Sequence, residues 1–228
     1  MTGRPRVSVL TLTKNSARTI RRCLRSVLDQ DYPEIEFIVQ DGLSRDGTLE
    51  EIARHGRRIE LFSEPDQGPE DAHLKGLGRC TGDLITMCWS DEELAPGAIS
   101  RGVRILLEEP ELGGIYGDVY STDLLGNLLD PSQRPGFTPP WDLERYLRWD
   151  MIPNYVGSLV WREKLAASGF FEAPHSVMYD YFGRLGLRYP VRYIPGFVGK
   201  FCVHGGQLSS RPEVLFGMLD NLLASIDA

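Results

Sequence analysis

The stretch Gly82-Asp83-Leu84-Ile85-Thr86-Met87-Cys88-Trp89-Ser90-Asp91-Glu92-Glu93 decides how the rest of this 228-residue chain is interpreted. Its apolar run is short and bounded by glycine and by acids, which favours a buried parallel strand over a helix. Three carboxylates follow at the predicted carboxyl end of that strand, where open α/β sheets bind their ligands. Carboxylate oxygens suit a hard cation, whereas a solvated acidic turn ahead of the next helix would explain the same residues.

Composition limits the class of protein. The chain has 25 Lys and Arg against 32 Asp and Glu, and a net charge of -7, which argues against a nucleic-acid-binding surface. The four cysteines form no CxxC pair, and Cys23, Cys80 and Cys88 lie in apolar patterns typical of buried thiols in a reducing compartment. No apolar segment is long enough to span a bilayer, and the first one predicts a strand and not a signal peptide. We therefore expect a cytoplasmic protein, with peripheral membrane contact left open.

Strand and helix patterns alternate through the first part of the chain. Strands are predicted at 7–13, 35–39 and 59–62, with helices between them and short links. This β-α-β-α-β order predicts parallel strands joined by right-handed crossovers. Asn15 or Ser16 is predicted to cap the first helix.

The remaining elements are predicted in the same way. The 82–93 strand lies between helices at 70–79 and from Pro96 to Pro110, with Pro96 in the first turn of its helix. A strand at 115–121 precedes a proline-rich loop at 131–140. The last third is predicted to contain helices at 141–149, 162–168, 178–187 and 212–226, and extended segments at 156–161 and 191–203.

Five stretches occur in one order along the chain and carry its polar signals. They are Thr13-Lys14-Asn15, Ser26-Val27-Leu28-Asp29-Gln30-Asp31-Tyr32, Asp41-Gly42-Leu43-Ser44-Arg45-Asp46-Gly47-Thr48, Ser63-Glu64-Pro65-Asp66-Gln67-Gly68 with Asp71-Ala72 and Lys75-Gly76 after it, and Ser90-Asp91-Glu92. In this order they resemble the motifs of the inverting, family-2 type of nucleotide-sugar glycosyltransferase, which has the GT-A fold.

The resemblance implies an α/β fold with a mostly parallel central sheet flanked by helices. It implies one domain over 1–228, with a nucleotide-sugar-binding half at 1–121 and an acceptor-side half and C-terminal helix at 122–228. The implied enzyme is of hexosyltransferase type. It moves a sugar from a nucleoside-diphosphate sugar, with a UDP-sugar favoured, to a hydroxyl of a saccharide or lipid-linked acceptor in polysaccharide or glycoconjugate synthesis.

A metal site is also implied. The diphosphate gains negative charge as it leaves, and Mn²⁺ or Mg²⁺ held by carboxylates neutralises that charge. By resemblance, Asp91 lies near the donor sugar and ribose and Glu92 is the closer metal ligand. Glu93 could be a further metal ligand, or it could be a solvated acid with no contact to the metal. His204 could reach the metal or the diphosphate, although a lone histidine also suits a structural role.

The donor pocket follows from the same resemblance. Thr13 and Asn15 would line the nucleoside pocket, and Asp41 would accept the ring N–H of a uracil or similar base. Asp41 could instead only stabilise its turn. Asp66 and Lys75 would flank the ribose and the diphosphate, although a lone lysine on a helix face is also explained by solvation.

The acceptor side is implied by Ser168-Gly169-Phe170-Phe171-Glu172 and Tyr179-Asp180-Tyr181, which resemble the family's Gly-x-Phe-Asp/Glu stretch and the Asp that follows it. Asp180 would be the general base that takes the proton of the attacking hydroxyl. Tyr179 and Tyr181 would form a platform for the acceptor sugar. Asp180 could alternatively be a carboxylate at the start of a helix.

Two other functions stay open from the residues. A non-catalytic sugar-nucleotide-binding module is suggested by Leu74, which stands where asparagine is common, and by Glu92, which replaces aspartate. A sugar-phosphate nucleotidyltransferase would need a glycine-rich loop after the first strand. The residues Thr13-Lys14-Asn15-Ser16-Ala17 contain no glycine, which counts against that enzyme.

Overall fold

The computed structural model describes residues 3–129, 142–147, 153–171 and 177–205. The strands are β1 Val7–Thr13, β2 Ile35–Asp41, β3 Glu60–Ser63, β4 Leu84–Met87, β5 Glu93–Leu94, β6 Gly114–Thr122, β7 Leu159–Trp161 and β8 Val191–Cys202. The helices are α1 Ile20–Leu28, α2 Thr48–Ala53, α3 Pro69–Arg79, α4 Ala98–Glu108, α5 Leu143–Leu147, α6 Arg162–Ala167 and α7 Val177–Arg188, with a 3-10 turn at Gly56–Arg58.

The strands form one sheet in the order β3-β2-β1-β4-β7-β6-β8-β5. Neighbouring strands in the run β3-β2-β1-β4 are parallel to each other, and β6 is parallel to β8. β7 is antiparallel to both β4 and β6, and β5 is antiparallel to β8. The predicted α/β class is confirmed, and the sheet is mixed. A short buried strand is apolar in either direction, so the sequence of β7 did not indicate how it would pair.

The stretch after Gly82 forms β4, as predicted, and all four of its residues are buried. It pairs with β1 from Val7 opposite Leu84 to Leu10 opposite Met87. Gly82 permits this approach, because a Cβ there would lie 2.7 Å from the backbone nitrogen of Ser8. The strand therefore lies beside the first strand of the chain, in the interior of the sheet.

Helices cover both faces of the sheet, as parallel strands require. Alternate residues of β1 point to opposite sides, so Val9 belongs to one apolar cluster and Leu10 to the other. The Val9 cluster includes Leu24 of α1 and residues of α4. The Leu10 cluster includes Leu77 of α3 and Leu185 of α7. The central strands are thus held between two apolar layers.

Two predicted helix starts are wrong. Neither Asn15 nor Ser16 caps α1 through its side chain. Its N-cap is Thr19, and Ser16 contributes only its carbonyl oxygen, which accepts from the Ile20 nitrogen at 2.9 Å. Asn15 is instead bonded to the loop after β2. Pro96 lies before α4, whose N-cap is Gly97 with a φ of 69°.

Several predicted segments lie outside the described residues. They are the proline-rich loop at 131–140, Glu172 and the terminal helix at 212–226. The extent of the single predicted domain stays a prediction. Within the described ranges, no helix combines the length and the apolar composition needed to cross a membrane.

Candidate active site

Three loops meet at one edge of the sheet, because β1, β2 and β4 are parallel and end together. Thr13 at the end of β1 lies opposite Asp41 at the end of β2. After β4, the Ser90 nitrogen donates to the Leu12 oxygen at 3.3 Å, and the hydroxyl oxygens of Ser90 and Ser16 are 2.8 Å apart. Residues from separate sequence motifs are therefore neighbours here.

Asp41 is fully buried, and its carboxylate holds the turn after β2. It accepts from the Ser44 nitrogen at 3.0 Å and from the Ser44 hydroxyl. It also accepts from the Ser63 hydroxyl at 2.7 Å, which fixes the end of β3. These donors offset the cost of burying a charge. The structure thus shows the turn-stabilising role of Asp41, and its contact with a base stays a prediction.

Thr13, the last residue of β1, and Asn15, in the loop that follows, differ in their hydrogen bonding. Thr13 is 6% exposed, and its hydroxyl has no hydrogen-bond partner within the part of the chain that the structure describes. An unpaired buried hydroxyl costs about 1–3 kcal/mol, which a ligand could offset. Asn15 has a φ of 52°, and its side-chain oxygen accepts from the Arg45 nitrogen at 2.9 Å. Asparagine tolerates this left-handed conformation better than most residues.

Asp66 is packed against the turn that begins at Asp41. A Cβ on Gly42 would lie 2.1 Å from Asp66 Oδ2, so any larger residue there would have to displace this carboxylate. The other oxygen, Oδ1, accepts from the Gly68 nitrogen at 3.0 Å and lies 3.5 Å from Lys14 Nζ. Asp66, in the loop after β3, therefore contacts the loops after β1 and β2.

Lys75 is held by its neighbours and is not simply solvated. Its ammonium group donates to Asp71 Oδ2 at 2.6 Å, one helical turn away, and to the Pro65 oxygen at 2.9 Å. The pair lowers the pKa of the Asp71 carboxyl, chiefly through this hydrogen bond. The charge of Lys75 thus lies against the loop between β3 and α3, where the resemblance expects the donor.

The structure brings Asp91 and His204 together, although they are 113 positions apart in the chain. His204 Nε2 lies 3.0 Å from Asp91 Oδ2, and both side chains are mostly buried, with 22% and 24% of their surface exposed. Cys202 joins them, and one ligand atom from each residue lies within 4.8 Å of the others. A carboxylate, an imidazole and a thiol form a donor set that suits a first-row divalent cation.

Sequence reasoning missed Cys202, although a signal was present. Cys202 lies in the predicted extended segment 191–203, two residues before His204, and residues two apart in an extended chain share a side. Burial first, and then the charge of Asp91, raises the pKa of the Cys202 thiol to about 11. It therefore holds its proton at neutral pH.

Glu92 is buried beside Asp91 but is not one of this group of three. Burial, followed by the charge of Asp91, raises the pKa of Glu92 to about 8, although the Trp89 N–H donates to its carboxylate at 2.9 Å. Its place as a metal ligand stays a prediction. Glu93 is not simply solvated, because it pairs with Arg22 and Lys200, each at 3.2 Å.

Asp180 lies in α7, but its side chain is outside the described residues. Its neighbour Tyr181 is fully buried. The Tyr181 ring packs edge-on against Phe170 and Phe182 at centroid distances of 5.8 and 5.2 Å. The prediction that Tyr181 forms an acceptor platform is therefore wrong, because its ring belongs to the core. The role of Asp180 as general base stays a prediction.

Comparisons with known proteins agree with this architecture. The family model "Glycosyl transferase family 2" matches residues 8–167. The chain is 31% identical over 132 residues to the GalNAc(5)-diNAcBac-PP-undecaprenol beta-1,3-glucosyltransferase of Campylobacter jejuni, covering 54% of this chain and 41% of that protein. Two other curated relatives match the chain over only 13% and 35% of their length. The chain thus spans less than half of each of these three proteins.

Solved structures share the fold. TarS 1-349 of S. aureus in complex with UDP-GlcNAc superposes with a TM-score of 0.69 at 17% identity, covering 90% of this chain and 60% of that one. The mannosyltransferase PcManGT of Pyrobaculum calidifontis, in complex with GDP-Man and Mn2+, gives 0.68 at 19% identity, covering 99% and 65%. Both likenesses confirm the predicted GT-A fold.

The pKa of Glu92 predicts how stability changes with pH. The folded protein keeps this proton up to about pH 8, whereas the unfolded chain loses it near 4.5. The unfolded state binds fewer protons in this window, so the free energy of unfolding should fall as pH rises through it. Glu92→Gln should remove this decrease in the free energy of unfolding, because glutamine has no proton to lose in this window. Urea denaturation of both proteins in chelator, on either side of the window, measures it.

The charge of Asp91 provides the control for this experiment. Asp91→Asn removes the second cause of the raised pKa, so the fall should become smaller without disappearing. Equal pH dependence in the wild type and Glu92→Gln would contradict the assignment.

Proposed function

This chain belongs to glycosyl transferase family 2, and we propose that it is a metal-dependent inverting glycosyltransferase. It moves a sugar from a nucleoside-diphosphate sugar, with uridine favoured, to a hydroxyl of a saccharide or lipid-linked acceptor in polysaccharide or glycoconjugate synthesis. The observation that carries the proposal is the contact of Asp91 with His204, 3.0 Å apart beside the ends of the parallel strands. This is the edge where open α/β sheets bind ligands.

The donor would lie across the loops after β1, β2 and β3. Thr13 offers a buried hydroxyl that lacks a partner among the described residues, and Asp66 and Lys75 bring charges to the same edge. The structural neighbours support a nucleotide-sugar donor, because TarS was solved with UDP-GlcNAc and PcManGT with GDP-Man. Since their bases differ, the base must be tested on this chain.

Asp91 and His204 would hold the cation, with Glu92 as the further ligand that the sequence predicts. Carboxylate and imidazole donors suit Mn²⁺, and carboxylates suit Mg²⁺. The manganese in the PcManGT structure supports this choice. A bound cation neutralises charge on the diphosphate leaving group. Positive charge held by Asp91 and His204 would also offset the burial of the Glu92 carboxylate and its repulsion by Asp91, which together raise the pKa of Glu92.

Asp180 would act as the general base on the acceptor side. The acceptor hydroxyl attacks the anomeric carbon, the bond to the diphosphate oxygen breaks, and the hydroxyl proton passes to the Asp180 carboxylate. A single displacement inverts the anomeric configuration. A carboxylate distant from the metal is required, since a cation would compete for its lone pairs. This excludes Asp91 and Glu92 as the base.

A non-catalytic sugar-nucleotide-binding module is the second candidate. Leu74 is 37% exposed on α3 where a polar residue is common in the family, and Glu92 bears a proton in the absence of metal. Donor hydrolysis measured with and without Mn²⁺ separates the two functions. Metal-stimulated release of the diphosphate supports the transferase, and binding without release supports the module.

We expect Asp91→Asn to weaken binding of uridine diphosphate in the presence of Mn²⁺. Replacing a charged ligand should cost on the order of ten- to a hundredfold in affinity. Isothermal titration calorimetry measures the effect. The control is Asp31→Asn, which removes the same charge from an exposed carboxylate bonded to Ser100. Unchanged affinity in Asp91→Asn would contradict the proposal that a cation held by Asp91 binds the donor.

The base contact of Asp41 has its own test. Asp41→Asn keeps one acceptor oxygen for the turn but turns the other position into a donor, which would oppose a uracil N–H. Uridine diphosphate should lose its advantage over adenosine diphosphate, measured as the ratio of their dissociation constants. Ser63→Ala, which removes one bond to Asp41, should leave that ratio unchanged. An unaltered ratio in Asp41→Asn would leave Asp41 as a turn residue only.

Turnover tests the proposed base. We expect Asp180→Asn to lower turnover by roughly 10²–10⁴-fold because the acceptor proton loses its carrier. Affinity for the donor and the metal should be nearly unchanged, as measured by calorimetry. Glu163→Gln at the start of α6 is the control. Wild-type turnover of Asp180→Asn would eliminate it, and Glu172 would then be the next candidate.

A further inference from the structure

Asp91, Cys202 and His204 form what we call the metal-ligand group, and Cys202 has no role in the function proposed above. We infer that the Cys202 sulfur is a protein ligand of the cation, and that it makes the site take borderline and soft divalent cations such as Co²⁺, Zn²⁺ and Cd²⁺ more tightly than Mg²⁺. This inference rests on the proposed function of Asp91 and His204. It adds the chemical class of metal that this chain prefers.

The position of Cys202 is fixed by the sheet. It is the last residue of β8 and pairs with Thr122 of β6. The Val203 nitrogen extends this pairing by donating to the Thr122 oxygen at 2.8 Å. Cys202 is 2% exposed, whereas Val203 is 40% exposed, so side chains alternate between the interior and the surface here. The thiol therefore faces the same side as His204, two residues later.

The separations fit one shared ion. Ligand atoms of Asp91, Cys202 and His204 lie within 4.8 Å of one another. Nitrogen, oxygen and sulfur ligands lie about 2.0–2.3 Å from a bound Zn²⁺, so two ligand atoms of one tetrahedral ion are roughly 3.3–3.8 Å apart. Small side-chain movements would bring all three atoms into contact with one cation.

Thiol chemistry decides which cation the site prefers. The Cys202 S–H donates to the backbone carbonyl oxygen of Asp123 at 3.4 Å. The thiol proton must leave when the sulfur binds a metal. The bond formed is sulfur to metal, the bond broken is sulfur to hydrogen, and one proton passes to solvent. Sulfur and imidazole favour zinc and its neighbours, whereas Mg²⁺ demands oxygen ligands.

The other cysteines are not at this site. Cys23 and Cys88 are fully buried in the core with sulfur atoms 3.7 Å apart. Cys80 is buried in the cluster on the other face and donates to the Gly76 oxygen at 3.5 Å. Cys80 is a matched control, because like Cys202 it is a buried thiol bonded to one backbone carbonyl.

Cobalt provides a spectroscopic test that does not need turnover. The metal-free full chain is titrated with Co²⁺ alone, and its absorption spectrum is recorded. Sulfur coordination gives a near-ultraviolet charge-transfer band that oxygen and nitrogen ligands do not give. We expect this band in the wild type and in Cys80→Ser, and its loss in Cys202→Ser. The weaker visible bands of Co²⁺ should remain, with affinity lowered by about tenfold or more.

Competition tests the metal class. Zn²⁺ should displace Co²⁺ at concentrations where Mg²⁺ does not, and Cys202→Ser should narrow this difference. Cys202→Ser keeps a donor for Asp123, and urea denaturation checks that it folds. Wild-type protein that binds Co²⁺ without the charge-transfer band would overturn the inference without needing any variant. A band that persists in Cys202→Ser would also overturn it.

The outcomes distinguish this inference from the proposed function. If Asp91→Asn weakens uridine diphosphate binding but no cobalt–sulfur band is seen, the metal-dependent function stands and the role of Cys202 fails. If the band is present and depends on Cys202, but Asp91→Asn binds the nucleotide normally, the metal site stands and the proposed donor chemistry fails.

Discussion

Parallel pairing on both sides of β1 is the constraint on which the rest of the structure depends. β2 and β4 run in register with β1, so all three strands end at one edge of the sheet. The loops that follow must share that edge. Thr13 therefore lies opposite Asp41, and Ser90 bonds the backbone of β1. Glycine is required at Gly82, because a Cβ there would lie 2.7 Å from the Ser8 backbone nitrogen, whereas a Cβ at Gly42 would displace the Asp66 carboxylate.

Burial gives two carboxylates of this edge opposite characters. Asp41 accepts from three donors on Ser44 and Ser63, so its charge is compensated within the protein. Burial, and then the charge of Asp91, raises the pKa of Glu92, and the one backbone N–H that donates to its carboxylate does not offset them. A low dielectric strengthens both the compensation and the repulsion. Asp41 thus stabilises the turn after β2, whereas a positive charge nearby would stabilise the ionised form of Glu92.

The second part of the chain completes the site through two reversed strands, β7 and β5. β7 joins β4 antiparallel, and β6 and β8 extend the sheet beyond it. β5, immediately after the acidic turn, pairs with β8. This pairing places the end of β8 beside Asp91. Cys202 and His204 therefore lie close to a residue more than 100 positions earlier in the chain. The metal-ligand group is therefore a product of sheet order.

Side-chain periodicity between near neighbours was enough to predict β1, β4 and the apolar faces of the helices. The motifs, through their resemblance to a known family, indicated the GT-A fold and the edge where polar residues collect. Packing between distant segments settled that Asn15 bonds the next loop and does not cap α1, that Tyr181 lies in the core, and that Cys202 faces Asp91. Distances between residues far apart in the chain are set by strand order and packing, which no local pattern encodes.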